Sequence, residues 1–485
     1  MASWLVEDIS SDEGDDLSDY EPEDSYDSAD SDAEFLNEEE RSEMQVDDNV
    51  ALMSKDKTIR YSLEPPPTAR PPASRVGVIA NEGPMTYASA RVTDLLASFL
   101  MFIEPIEKIV VDMTNLYGFR RYKDEWQNVD ICTMRAYYGL LLLAGVYRSR
   151  GEDITELWDD HKGRPIFRAT MSLELFKRIN QCIRFDNKEE RMQTNERYKL
   201  EPIRNVFEKW VQRVRDLYVP GKFVTFDEQL LPYRGRCPFI QYIPNKPAKY
   251  GIKIWVLCDS KTYYAYNLKV YVGRNRNSAP EVNQAENVVM RLAEGLNGRN
   301  LTADNWFITY SLAKRLKGQV IDESDKKKPE IIKFYNATKG AVDTLDEMVG
   351  TYRCKRRVLR WPLALFENML DISACNALAI FLANNSYWQH AEKKARRRFS
   401  LIEVGEALVT PFISEREHMP QGKRAQNVVC DIQGVAREPS PALSKSSGGS
   451  ARASPVPWLS NLRHTEAAKK RARWMPHLPL CYECK

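Results

Sequence analysis

The sequence predicts an α/β core set between two helical segments, with tails at both ends that build no structure of their own. Three observations carry this reading. Apolar residues recur at helical spacing between Val92 and Leu217, follow period two between Phe223 and Val272, and return to helical spacing from Thr338. At 485 residues, 43% hydrophobic and 10% aromatic, the chain has room for two or three domains and is too apolar to be wholly disordered. Its uninterrupted apolar runs, such as Leu140 to Val146, fall far short of the ~18 residues a membrane span needs, and the acidic N-terminus lacks a signal-peptide core. The expectation is an intracellular protein with no membrane partner.

The elements follow in order. Residues 1–58 are rich in Ser, Asp and Glu and bury too little to offset the entropy of ordering. Five prolines between Glu64 and Ser74 make an extended linker. Val92, Leu95, Leu96, Phe99 and Leu100 predict one helix, and the apolar set from Ile106 to Met113 a second. Cys132 to Tyr147 reads as a buried helix, and Ser172 to Cys182 as a helix capped by Ser172. Ile203, Val206, Phe207, Trp210, Val214 and Leu217 form an amphipathic stripe. Phe223 to Phe226 is a short strand that ends at Asp227. Ile252 to Cys258 and Tyr263 to Val272 are longer strands joined by the turn residues Asp259 to Thr262, which makes a β-meander. A helix through Val282, Val288, Val289, Leu292 and Leu296 leads to a strand, Leu301 to Ala303, that delivers Asp304. Helices follow from Thr338 and from Pro362, a favoured first helical position, to about Asn385. Beyond Thr410 order is expected to decay. The domains are therefore a tail and linker (1–86), a helical part (87–220), the α/β core (221–350), a second helical part (351–412) and a flexible basic tail (413–485).

Charge is divided along the chain. Residues 1–50 hold 20 acidic side chains against Arg41 alone, a net −19, so residues 51–485, with 69 basic and 48 acidic, carry +21. A basic body behind an acidic tail favours a polyanionic partner, because Lys and Arg on phosphates release condensed counterions; the alternative is a basic protein that binds nothing. The nine cysteines show no paired framework and read as reduced thiols of the cytosol or nucleus.

Asp227 and Asp304 stand at strand ends, while Asp343 and Asp346, three apart on a helix, share a face. Converging carboxylates can hold two divalent cations that clamp the attacking and leaving oxygens of a phosphoryl displacement. The spacing alone equally suits turn residues and helix caps.

The local wording is more specific. The stretches Asp227-Glu-Gln-Leu-Leu-Pro-Tyr-Arg-Gly-Arg-Cys-Pro-Phe, Tyr242-Ile-Pro-Asn-Lys-Pro-Ala-Lys-Tyr-Gly-Ile-Lys, Ala303-Asp-Asn-Trp-Phe and Tyr335-Asn-Ala-Thr-Lys-Gly-Ala-Val-Asp-Thr-Leu-Asp, with Arg360-Trp-Pro, strongly resemble piggyBac transposases from about Phe102 to Phe381. The resemblance implies a ribonuclease H-like catalytic core embedded in an α-helical dimerisation and DNA-binding domain. It makes Asp227, Asp304 and Asp343 the catalytic carboxylates and Asp346 an additional ligand to a two-metal site holding Mg²⁺ or Mn²⁺. It further implies a homodimer that cleaves DNA at transposon terminal repeats and joins the ends to TTAA targets. Arg234, Arg236, Lys246, Lys249, Lys253, Lys355, Arg356, Arg357 and Arg360 become candidates for phosphate contacts, which position DNA without reading sequence; each can equally be a solvated surface charge.

Two departures from the family bear on activity. Asp304 and Asp343 are 39 positions apart, much closer than in intact members, and no strand-length apolar run lies between them. The fifth strand of the core and an inserted β-rich domain are therefore expected to be missing, by a junction near Gly318, which should impair cleavage. At the C-terminus, His477, Cys481 and Cys484 stand where the family carries a cysteine-rich zinc module, and three ligands do not close a structural zinc site. No zinc is expected. Lys393 to Arg398 and Lys469 to Arg473 read as nuclear signals or phosphate patches, in keeping with a nuclear protein. The rival reading is a non-catalytic nuclear DNA-binding protein, or a shortened chain that pairs with an intact transposase and inhibits it.

Overall fold

The computed structural model describes residues 82–193, 198–244, 246–273, 283–304, 306–307, 312, 335 and 338–436, together with the antiparallel two-residue pair Leu52–Met53 and Arg60–Tyr61. Outside these residues lie most of the acidic tail and linker, the interval around Gly318, the basic stretch from Lys469 and the residues His477, Cys481 and Cys484.

The first long element is a single helix, α1 (Leu95–Tyr122), where the sequence predicts two. Asp94 caps it, accepting from Ala97 N at 2.7 Å. Pro105 sits inside it, at a cost of ~3 kcal/mol for the lost hydrogen bond and the ring clash. Phe102, Ile103, Ile106 and Val110 are fully buried around that point, and at ~1.5–3 kcal/mol each their packing outweighs the break. Helix α2 (Ile131–Val146) is capped by Asp130 and buried almost throughout, as its sequence predicts. In α3 (Leu173–Cys182) Ser172 is the N-cap, accepting from Leu175 N at 3.1 Å. Helix α4 (Arg204–Asp216) buries the predicted stripe Val206, Phe207, Trp210 and Val214.

The sheet opens with β1 (Phe223–Pro232), ten residues long. This corrects the expected four-residue strand: Asp227 stands at mid-strand, because the antiparallel partner β3 continues the ladder past it. The strands β2 (Gln241–Tyr242), β3 (Tyr250–Asp259) and β4 (Ala265–Val270) follow. One edge of β3 pairs with β1 from Val224↔Asp259 to Pro232↔Gly251; its other edge pairs with β4 and, at Tyr250 and Gly251, with β2. The predicted meander is present, with the turn fixed by Asp259, whose carboxylate accepts from Lys261 N and Thr262 N at 2.9 and 2.8 Å. Helix α5 (Gln284–Leu292) leads to β5 (Asn300–Ala303), which pairs parallel with β1. Val224 and Phe226 of β1, Trp255 and Leu257 of β3 and Ala303 form one core with Val288, Val289 and Leu292 of α5.

On the other face lie α6 (Ala341–Thr351) and α7 (Trp361–Asn384). Helix α7 is long and apolar enough to cross a bilayer, yet it is buried along nearly its whole length. Its polar residues are tied inward: Ser373 Oγ accepts from Trp210 Nε1 at 2.9 Å, and Asn376 Oδ1 accepts from Ala265 N at 2.9 Å. Helix α8 (Arg396–Ser414) crosses α2 closely, because glycine faces glycine: a Cβ on Gly139 would lie 2.8 Å from Gly405 O. The chain then continues into α9 (Lys423–Gln433), which buries Ala425, Val428 and Val429. Over residues 413–436 the expected flexible tail is instead ordered, with a helix held by Arg416 Nη1 on Ala169 O at 2.8 Å and by Arg424 Nη1 on His161 O at 2.8 Å; the rest of that tail lies outside the described residues.

Candidate active site and nucleic-acid face

Period two divides β1 between two faces. Val224 and Phe226 enter the core with α5, whereas Thr225, Asp227 and Gln229 face α6. The parallel register of β1 and β5 is Thr225↔Thr302 and Phe226↔Ala303. Asp227 and Asp304 are each the residue after the last pair, on neighbouring strands ~4.8 Å apart. Thr338 ties the approach to α6 to both strands: its carbonyl accepts from Thr225 Oγ1 at 2.7 Å, and its hydroxyl is 2.7 Å from that of Thr302. Two turns further on, α6 presents Asp343 and Asp346 over the same face.

The acids are not equivalent. Burial pushes the Asp227 carboxyl up to about 7; the neighbouring Glu228 adds to the shift, Glu228 N–H and Lys246 oppose it, and Asp343 adds to it again. That N–H donates to Asp227 Oδ1 at 2.8 Å. Burial also raises the Asp346 carboxyl, against the hydrogen bond from Gln229 and the positive charges of Arg353 and Lys246. Gln229 Nε2 lies 3.1 Å from Asp346 Oδ1. Asp343 and Asp304 are exposed. The Tyr335 phenol is raised by burial and by Asp304 and Asp227, and it hydrogen-bonds Asp304.

Lys246 reaches into this group. Its Nζ is 3.4 Å from Asp343 Oδ1 and donates to Glu228 O at 3.2 Å. Desolvation lowers its affinity for a proton, but attraction to Asp227, Asp343 and Glu228 outweighs that and raises it. Hard carboxylate oxygens are the donors Mg²⁺ and Mn²⁺ prefer, and Asp227, Asp304, Asp343 and Asp346 fit such ions by chemistry. Among the described residues no three acidic, histidine or cysteine side chains are yet gathered closely enough to grip one.

The basic candidates separate into two groups. Arg234, Arg236, Lys249 and Arg357 are exposed, and Lys249 is held at a φ of 56°. Arg234, Arg357 and Lys355 line a cleft of about 550 Å³ with Tyr233 and Tyr250. Lys253 is half-buried, 3.9 Å from Glu228 Oε2 and 5.1 Å from the centre of the exposed Trp306 ring. Lys355, Arg356 and Arg360 instead spend their donors inside the protein. Lys355 Nζ donates to Pro232 O at 2.6 Å, Arg356 Nη1 to Ser149 Oγ at 2.8 Å, and Arg360 Nη1 to Ile183 O at 2.8 Å, with its Nη2 on Asn180 O. Arg360 thereby satisfies the carbonyl of Asn180 at the C-terminus of α3 and shares that of Ile183 with Arg184 Nη1, 3.0 Å away. In the basic run from Lys393, Arg397 turns inward to Cys375 Sγ while Lys393 and Lys394 are exposed.

Sequence reasoning missed Gln229, Tyr335, Thr338 and Asn368 as parts of this site. The first three lie in the words that carry the resemblance; Asn368 has no signal beyond being polar in an apolar helix.

Two comparisons with known proteins bear on the family of the chain. A family described as Transposase IS4 matches residues 98–323 and 317–378, segments that meet around the stretch where the sequence places its junction. Among solved structures, the chain is similar to the piggyBac transposase of a cryo-EM synaptic complex with hairpin DNA. The two are 27% identical, with a TM-score of 0.66 over 75% of this chain and 90% of that one. With a sheet that sets Asp227 beside Asp304 and a helix that brings two further carboxylates over them, the chain belongs to the piggyBac family of IS4-type transposases.

Proposed function

We propose that the chain is a DNA transposase with a ribonuclease H-like core, which cleaves and transfers DNA strands at transposon ends and joins them to TTAA targets. The observation that carries the reading is the parallel register Phe226↔Ala303, which sets Asp227 and Asp304 side by side beneath the helix bearing Asp343 and Asp346. Three antiparallel strands with a parallel fourth beside the first, order β4-β3-β1-β5, support the ribonuclease H-like assignment. Asp227, Asp304 and Asp343, with Asp346, would hold two divalent ions, Mg²⁺ or Mn²⁺. Such ions activate a water or 3′-hydroxyl and stabilise the leaving oxygen. The chain's own side chains hold the DNA. Arg234, Arg236, Lys249 and Arg357 take phosphates, and Tyr250 and Trp306 offer exposed rings to bases. A homodimer acting in the nucleus completes the reading.

A test is metal-dependent nicking of terminal-repeat DNA by the wild type, with Asp227→Ala as control. Nicking that the substitution abolishes supports the proposal, and nicking that survives it refutes the assignment of Asp227. A second reading is favoured by the scattered carboxylates and by Lys246 standing among them: a nuclear DNA-binding protein without turnover. It requires salt-sensitive binding of terminal-repeat DNA by a wild type that nicks nothing in Mg²⁺ or Mn²⁺.

A further inference from the structure

Asp346 is reached by a chain of two buried amides. Asn368 Nδ2 on α7 donates to Gln229 Oε1 at 2.9 Å, and Gln229 Nε2 donates to Asp346 Oδ1 at 3.1 Å. Gln229 is 1% exposed and Asn368 2%. A glutamine amide has one donor end and one acceptor end. The donation from Asn368 fixes which end faces which neighbour, and so points the Gln229 NH₂ at the carboxylate. The arrangement has a cost that packing alone does not explain. Asn368 Oδ1 is buried without a hydrogen-bond partner among the described residues, so the fold tolerates an unpaired acceptor while keeping Nδ2 on Gln229.

We propose that Asn368 and Gln229 are positioning residues, a relay that fixes Asp346 as a metal ligand from the helical layer; this rests on the metal-site reading above. Gln229 is two residues beyond Asp227 on the same face of β1, so one strand carries both a carboxylate and the amide that orients another. Asp346 keeps one oxygen on Gln229 and leaves the other for an ion. Outer partners of this kind typically govern metal affinity by 10- to 100-fold.

The substitution Asn368→Asp keeps the side chain's shape and replaces its donor with an acceptor. Gln229 then turns its NH₂ toward residue 368 and sets its oxygen against Asp346. Gln229→Glu reaches the same end directly, carboxylate against carboxylate. The control is Ser373→Ala, which removes the buried bond from Trp210 to the same helix and touches no part of the relay.

The experiment is Mn²⁺ binding to the full chain, measured by electron paramagnetic resonance, with thermal melts to confirm folding. Asn368→Asp and Gln229→Glu should each weaken binding 10- to 100-fold, and Ser373→Ala should leave it unchanged. If the wild type binds Mn²⁺ and the two relay variants bind equally well, the relay is refuted and the metal site stands. Equal weakening by Ser373→Ala would make the effect one of helix packing and refute it also. A wild type that binds no Mn²⁺ overturns the metal site and the relay together.

Discussion

The Lys246 ammonium stands 3.4 Å from the Asp343 carboxylate and donates to the carbonyl of Glu228, the residue next to Asp227. A cation of the chain's own therefore supplies charge between the first and third candidate carboxylates, where divalent ions would supply it instead. Lys246→Met should make folding more responsive to metal: the rise in Tm on adding Mn²⁺ should be larger in the variant than in the wild type. Equal rises would show that Lys246 and the ions do not compete.

Asp227 gives a pH prediction with a definite sign. Its carboxyl is pushed up to about 7, chiefly by burial, whereas in the unfolded chain it titrates near ~3.9. The native state therefore holds a proton that the unfolded state has released, and the metal-free fold loses stability as pH rises through this window. Asp227→Asn removes the dependence. The variant should melt within error of the wild type near pH 4 and at least ~2 °C above it at pH 8 without metal. A constant difference across that range would refute the assignment.

Arg234 and Arg360 should behave oppositely. Arg234→Ala should leave Tm unchanged, weaken DNA binding, and reduce the slope of log affinity against log salt by ~0.9 for each phosphate that the side chain neutralised. Arg360→Ala frees the carbonyl of Asn180, while Ile183 O keeps Arg184 Nη1 at 3.0 Å, and should cost roughly 1–3 kcal/mol of stability with no change in that slope. A salt slope altered by Arg360→Ala in a folded protein would return that residue to the DNA face.

The two arginines mark the boundary of what the sequence makes legible. The four acids stand out because they sit in long, rare words, and the helices with buried stripes, such as the one around Trp210, because burial writes a period into the sequence. Arg356 and Arg360 read as surface cations because a guanidinium's partners are decided by which carbonyls come near it in the fold, and Ile183 is 177 positions from Arg360. The true length of β1 is hidden for a similar reason: what extends it past Asp227 is the ladder to β3, a partner rather than a pattern. Asn368 is silent because its partner on β1 lies 139 positions away.

The crossing of α2 and α8 should be intolerant of side chains. Gly405→Ala puts a methyl 2.8 Å from Leu143 Cγ, and overpacking of this kind costs ~1–3 kcal/mol. Chemical denaturation should show a lower midpoint at unchanged slope. An unchanged midpoint would mean that the two helices can slide apart freely.

The far half of β1 is gripped by the segment between α6 and α7. Tyr233 donates its hydroxyl to Leu359 O, and Lys355 Nζ holds Pro232 O. The strand that begins in the α/β core thus works as a stiff beam, clamped at one end near the carboxylates and at the other beside the basic cleft. On the proposed reading, a load that DNA applied at Arg234 and Arg357 would pass from Pro232 along five residues, ~17 Å of extended backbone, to Asp227, so the strand would give the shape of bound DNA a mechanical route to the carboxylates.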